Sequence, residues 1–330
     1  MTDDTRGNWR KESTSAPSLL TKSCHDIDLI LWLLCSPPPG SSKLAHLPTT
    51  VTSSGSRQYF NRLRKPVAAG TATNCFSCNY EESCKFSAKK IYVGPKIVGV
   101  GTGNTNWPVD IVLPDIEDYI SRGGPAAGEA ALVEKLKEDY DGATPPLVVE
   151  QRNWYGRCVY EADNDVCDDQ VVTITWDNDP ISDSGENFNQ ALAGRGAKVA
   201  TFHMVAFTHR VCERHSNIYG TDGEIYADSN SIVVRNFNTG EKKTFYPHLA
   251  GHGHGGGDDG LTRQFVLAVD RVKNHGEDVA TAQQKYVGCT LEEVIRSHAM
   301  VFAAEEARKE KIVLDFPSWW KREVQSRLGS

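Results

Sequence analysis

The sequence lacks the long apolar runs of membrane-spanning and secreted proteins. Its longest uninterrupted apolar stretch, residues 29–35, falls far short of the about 20 residues that a helix needs to cross a bilayer. The opening residues contain no apolar core of the kind that a signal peptide requires. We therefore expect neither a membrane-spanning segment nor secretion.

An excess of positive charge is also missing, and so is a regular cysteine framework. The net charge is -7, which argues against nucleic acid or an anionic membrane as the main partner. The nine cysteines are odd in number and most stand singly, a pattern typical of reduced thiols rather than of disulfides. These features predict a cytoplasmic protein.

No glycine-rich nucleotide-binding turn is recognisable. No strand followed by such a turn precedes residue 23. The glycine cluster at residues 99–104 lacks the third glycine at the required offset, and no acidic residue follows in a strand about 20 residues later. It continues into Trp107 and Pro108 rather than into a helix. We interpret this cluster as a loop.

What the sequence does contain is an apolar helix that starts with polar residues. Apolar positions recur at helical spacing on two faces of residues 23–34, so the helix is predicted to be buried nearly all round in its later half. Asp26 and Asp28 near its expected N-terminus would meet the positive end of the helix dipole. His25 needs either a hydrogen-bond partner or a cleft. It is therefore a satisfied core histidine or a functional group whose ring Asp28 orients.

Three cysteines form a compact pattern. Cys75 and Cys78 make a CxxC pair, and Cys84 follows six residues later. This spacing suits three thiolate ligands of a structural zinc ion, although no fourth ligand lies at a standard spacing. The alternatives are buried small residues in an insertion with little core of its own and, less favoured, a redox-active CxxC.

The remaining patterns predict a chain rich in antiparallel strands. Period-two alternation marks a strand near residues 49–54 and several more between residues 171 and 246, joined by tight turns. The acidic run from Asp163 lacks the glycine and the terminal Glu of an EF-hand and is interpreted as a solvated bend. Thr290 and Glu293 form a capping box that opens a last long helix. We further expect a Cys-containing insertion at about residues 57–95 and a polar loop at about residues 179–198.

These segments together resemble the Gfo/Idh/MocA (glucose-fructose oxidoreductase / inositol dehydrogenase) family. The resemblance covers about residues 7–315 and is carried by residues 22–32, 75–92, 155–172 and 254–258. It implies an α+β fold with a large, mostly antiparallel β-sheet and helices packed on one face. In that family this is the C-terminal domain, and residues 1–330 are expected to form a single domain of this type.

The resemblance also implies an activity and a set of site residues. Family members transfer a hydride between NAD or NADP and a CH-OH carbon of a sugar, inositol or related polyol. The matching histidine, which exchanges the hydroxyl proton, is His25, and Tyr155 and His254 match residues at the substrate pocket. Many members carry Asp four residues before this His, where this chain has Thr21, and Lys22 is the candidate replacement. By analogy, a homo-oligomer is expected.

One part of the family pattern is missing. Members open with an NAD(P)-binding Rossmann domain that includes a Glu-Lys-Pro segment, and neither is recognisable in this sequence. Three interpretations stay open. The chain is the substrate half of a truncated oxidoreductase, a standalone binding or oligomer-forming module without catalysis, or an interaction protein stabilised by metal at the three cysteines.

Overall fold

The computed structural model describes residues 6–7, 9–37, 45–96, 98–179, 195–208, 213–247 and 256–328. Over these residues the chain is a mixture of helix and strand with two antiparallel sheets, which agrees with the α+β class at that level. The chain divides into two compact units. Unit 1 comprises Met1–Phe207 and Arg296–Ser330, and unit 2 comprises Thr208–Ile295.

The elements are numbered in chain order. The strands are β1 (Thr50–Ser56), β2 (Asp169–Trp176), β3 (Lys198–Val205), β4 (His215–Tyr219), β5 (Gly223–Asp228), β6 (Ile232–Asn236), β7 (Lys242–Phe245) and β8 (Leu314–Asp315). The α-helices are α1 (Ser18–Cys35), α2 (Ile116–Gly123), α3 (Pro125–Lys137), α4 (Pro146–Gln151), α5 (Gly257–His275), α6 (Val279–Ala282), α7 (Leu291–Glu310), α8 (Phe316–Trp320) and α9 (Ser326–Leu328). Shorter 3₁₀ turns lie at Arg62–Arg64, Val67–Ala69, Cys75–Ser77, Glu81–Ser83 and Val100–Thr102, and π-helical turns lie at Lys89–Val93, Gln283–Val287 and Lys321–Gln325.

The sheet of unit 1 has the strand order β3-β2-β1-β8. Alternate residues of β2 are buried, as the period-two pattern predicts. Val172, Ile174 and Trp176 of that face share one apolar core with α1 and with the part of α7 that belongs to unit 1. Both helices therefore pack on the same face of this sheet.

The predicted burial of α1 nearly all round is wrong. Its buried residues include Leu19, Ile27 and Leu31 on one face, whereas Trp32 is 53% exposed on the opposite face. The apolar core covers α1 from one side, so the second apolar stripe lies at the surface. The helix also begins earlier than expected, so Asp26 lies in its middle, where the helix dipole does not stabilise a carboxylate.

The segment between β1 and β2 builds two further apolar clusters, contrary to the alternative of an insertion with little core. Tyr92, Leu132 and Tyr155 belong to one cluster, and Phe60 and Tyr160 belong to the other. The prediction that the acidic run from Asp163 is a solvated bend is also wrong at the last residues of that run. There, Asp168 is 1% exposed and accepts backbone hydrogen bonds from residues 58, 59 and 60.

Unit 2 contains a second sheet with the strand order β4-β5-β6-β7. The described strands thus form two four-stranded sheets rather than the expected single large one. The capping box is confirmed: the Thr290 amide donates to Glu293 Oε2 at 2.6 Å, and the Glu293 amide donates to Thr290 Oγ1 at 3.2 Å. Residues 180–194 of the expected polar loop lie outside the described residues. None of the described helices is both long and apolar enough to cross a membrane.

Candidate functional site

His25 projects from the exposed face of α1. Its side chain is 56% exposed, so the ring is not a core histidine. The helix turns place Lys22, Leu29 and Trp32 on the same side as His25, because residues three and four apart lie on one helix face. Leu29 and Trp32 are 43% and 53% exposed. The result is a surface with one imidazole beside a strip of apolar side chains.

The carboxylate paired with His25 is that of Asp26. Its Oδ2 lies 3.4 Å from Nε2 of His25, and the Asp26 side chain is only 14% exposed. Asp28, which the sequence offered as the orienting group, is exposed on the same helix. The adjacent carboxylate therefore restrains the ring in this structure, a contact that helical spacing alone does not suggest.

Lys22 and Thr21 occupy the turn before His25. The Nζ of Lys22 lies 4.0 Å from the ring centroid of Trp9, a cation–π distance. The hydroxyl of Thr21 is within 3.4 Å of the carbonyl oxygens of Pro17 and Ser18. The Thr21 hydroxyl thus bonds to the first turn of its own helix. Of the two side chains, that of Lys22 is the longer and extends further from the helix.

Two other residues assigned by resemblance are not brought to this surface. Tyr155 is 5% exposed, and its ring makes an edge contact with Tyr92 at a centroid distance of 5.9 Å. It belongs to a different apolar cluster from α1. His254 lies outside the described residues.

A polar cleft of about 810 Å³ opens elsewhere in unit 1. Its charged groups compensate one another: Arg157 contacts Asp139 at 2.6 Å, and Arg62 contacts Glu161 at 2.8 Å. The Arg157 guanidinium also lies 3.4 Å from the ring centroid of Tyr140, and burial raises the pKa of Tyr140 to about 12. The internal pairing favours a structural role for this cleft. No local sequence pattern indicates it.

The three candidate metal ligands lie around one small cavity, together with a fourth cysteine that the sequence analysis missed. Cys75, Cys78, Cys84 and Cys158 all line it, and all four are free thiols. Burial raises the pKa of the Cys84 and Cys158 thiols. Over the described ranges, no set of three Cys, His, Asp or Glu side chains is already arranged to hold a metal ion.

Comparison with known proteins gives no family assignment. No protein-family model matches the chain, and no curated protein matches it either.

Proposed function

We propose that this chain is the substrate-handling part of an oxidoreductase that acts on a CH-OH group of a sugar, inositol or related polyol. The proposal rests on the resemblance of residues 22–32 to the Gfo/Idh/MocA family. The observation that carries it is the placement of His25. Its ring is open to solvent, and the Asp26 side chain beside it is largely buried. The mixed α+β architecture with antiparallel sheets is compatible with it.

The chemistry assigned to His25 is proton exchange with a substrate hydroxyl. A neutral imidazole accepts a hydrogen bond and then the proton from a hydroxyl held within about 3 Å of its nitrogen. The carboxylate of Asp26, 3.4 Å from Nε2 of His25, holds the ring in place during this exchange. Lys22 and Asp28, one turn away on each side, are assigned to the remaining hydroxyls of the polyol, and the apolar strip to the carbon face of the ring.

The described strands do not form the sheet of a Rossmann domain. A Rossmann domain needs parallel strands, whereas the strand pairs of both sheets are antiparallel. The glycines at 99 and 101 pack against the chain's own backbone, because a Cβ at either would lie 2.7 Å from a carbonyl oxygen of Gly94 or Val93. The proposal therefore assigns NAD or NADP binding to no residue of this chain.

The test is polyol binding to the full chain and to His25→Gln. We expect myo-inositol, D-glucose or D-glucitol to shift the NMR signals of the His25 imidazole. The variant should bind the active polyol about threefold to tenfold more weakly, the cost of one lost hydrogen bond. Isothermal titration calorimetry measures the affinity, and fluorescence titration with NADH is expected to show no binding.

His275→Gln is the matched control. His275 is 52% exposed, and its Nε2 lies 3.4 Å from Asp270, which reproduces the exposure and the carboxylate distance of His25. Equal losses of affinity in the two variants would contradict the assignment. So would a His25 signal that none of the three polyols moves.

A second candidate function is self-association through the sheet of unit 2. The strand register puts Ile218, Ile225 and Val234 in one row and Ala227, Ile232 and Phe245 in the next row on the same face. None of these residues is buried, and Phe245 is 51% exposed. Ile218 is 37% exposed, and the other four are partly exposed. A contiguous apolar face that is open to solvent in part is typical of an interaction site. We propose a second copy of this chain as its partner, in line with the expected homo-oligomer.

Light scattering after size-exclusion chromatography tests this surface. The full chain is expected to elute as a dimer or larger oligomer at micromolar concentration, and Ile218→Lys should shift it to the monomer mass. Asn217→Lys is the control, because position 217 lies on the opposite face of the same strand. A monomeric wild-type chain, or equal dissociation in both variants, would refute self-association through this face of the sheet.

A further inference from the structure

The backbone brings Cys158 to the three cysteines of the Cys75–Cys84 segment. The Cys75 amide donates to the Gly156 carbonyl at 2.9 Å, and the Cys158 amide donates to the Thr73 carbonyl at 2.7 Å. Together with the antiparallel bridge between Asn74 and Arg157, these bonds hold residues 73–75 and 156–158 side by side. The fourth thiol is thus positioned by the fold, although it lies far from the other three in sequence.

Backbone amides point at three of the four sulfurs. The Ala88 amide donates to Cys75 Sγ at 3.4 Å. The amides of the residues two positions after Cys84 and two positions after Cys158 also lie against the sulfurs of those cysteines. Amides that point at a sulfur stabilise its negative charge and orient it, as outer-shell groups do around metal-bound cysteines.

A buried cation next to the thiols provides an independent indication. Arg6 is 1% exposed and donates to Cys75 Sγ at 3.8 Å, to the Phe86 carbonyl at 2.7 Å and to the Tyr155 carbonyl at 3.2 Å. Within the described part of the chain, Arg6 forms no ion pair with a carboxylate. Glu81, which also lines the cavity, interacts with Ser87 and Lys89. A buried guanidinium needs an anionic partner, and four thiolates around one divalent ion leave an excess of negative charge.

The cavity that the four cysteines help to line has room for a single ion. Its volume is about 20 Å³, slightly more than the roughly 10–15 Å³ that one water-sized guest requires. We propose that Cys75, Cys78, Cys84 and Cys158 bind one structural zinc ion in tetrahedral geometry. Binding turns the four thiols inward to sulfur–zinc distances of about 2.3 Å and releases their protons. This site is independent of the polyol proposal.

Metal analysis of the wild-type chain is the first test. The full chain, purified in the presence of Zn²⁺ and then desalted, should contain about one zinc per chain and no iron with sulfide. After removal of zinc by a chelator under reducing conditions, added Co²⁺ should produce the visible spectrum of tetrahedral cobalt thiolate. A zinc content far below one per chain, or a bound iron–sulfur cluster, would overturn the proposal.

Thiol alkylation followed by mass spectrometry identifies the ligands without any substitution. All four assigned cysteines should resist iodoacetamide in the zinc-loaded chain and react after chelation. Cys24, a partly buried thiol on α1, should react equally in both states. Protection of Cys75, Cys78 and Cys84 without Cys158 would overturn the four-cysteine assignment, and so would disulfides among the four in freshly reduced protein.

Substitution provides the final comparison. Cys158→Ser should reduce Zn²⁺ affinity in a competition titration at least about tenfold, while Cys24→Ser should leave it unchanged. An unchanged affinity in Cys158→Ser would exclude Cys158 as a ligand. If that variant does not fold, the alkylation pattern of the wild-type chain decides the same question.

Discussion

Asp168→Ala is expected to lower the free energy of unfolding by about 3–5 kcal/mol, as measured by urea denaturation at neutral pH. The carboxylate accepts hydrogen bonds from the amides of Gln58, Tyr59 and Phe60 at 2.7–2.9 Å. Alanine leaves all three amides without this acceptor. Hydrogen bonds to a charged group are each worth roughly 1.5–3 kcal/mol, and an unsatisfied buried donor costs its full desolvation penalty.

The consequence should extend to the second and third apolar clusters. The three amides open the segment that leads from β1 to the cysteines, and Phe60 begins the aromatic cluster with Phe86 and Tyr160. Without the carboxylate, this segment loses three of the hydrogen bonds that attach it to the start of β2. We therefore expect the aromatic signals of the near-ultraviolet circular dichroism spectrum to weaken at denaturant concentrations that leave the wild-type chain intact.

Asp169→Ala is the matched control, one residue further along the chain. Its carboxylate contacts His203 at 3.0 Å, and that histidine is 51% exposed. Exposed ion pairs contribute at most about 1 kcal/mol, so this variant should unfold close to the wild-type midpoint. Equal midpoint shifts in the two variants would show that the backbone amides are not what makes Asp168 important.

The elements that the sequence predicted correctly depend on local patterns. The alternation in β2 and the reciprocal bonds of Thr290 and Glu293 need only neighbouring residues, so the sequence alone contains the necessary information. The exposed face of α1 could not be predicted in this way. Trp32 and Ile27 are both apolar residues at helical spacing, and only the position of the sheet determines which of them is covered.

Long-range contacts explain what the sequence analysis missed. Cys158 meets the other cysteines through a bridge between distant segments, which no cysteine spacing rule describes. Asp168 is the clearest case, because an acidic run normally indicates a solvated segment. Its burial depends on three amides more than 100 residues earlier in the chain. The sequence signal that points to this junction is the combination of Gly156 and Cys158 in one segment of strand-like pattern, since a glycine there indicates a close approach of backbone.

Gly156→Ala, which adds a single methyl group, is expected to disrupt the contact between the segment around residue 156 and the end of α3. A Cβ at position 156 would lie 1.6 Å from the carbonyl oxygen of Leu136 and 2.6 Å from its carbonyl carbon. Neither atom can rotate away, because both belong to the backbone at the end of α3. Either α3 or the segment around residue 156 must move, so we expect a loss of at least about 3 kcal/mol.

The displacement would also separate the proposed zinc ligands. Gly156 accepts the Cys75 amide, and Leu136 accepts the side-chain amide of Asn74 at 3.1 Å, so two of the contacts that position Cys75 lie at the clash. Urea denaturation and Zn²⁺ competition should therefore both show large losses in Gly156→Ala.

Gly142→Ala is the control, because no atom lies within 4 Å of its added Cβ, and it should keep wild-type stability and Zn²⁺ affinity. Wild-type stability in Gly156→Ala would refute the close approach of α3 to the segment around residue 156. If Gly156→Ala loses stability as expected but keeps its Zn²⁺ affinity, Cys75 is held in place independently of the contact between Gly156 and Leu136.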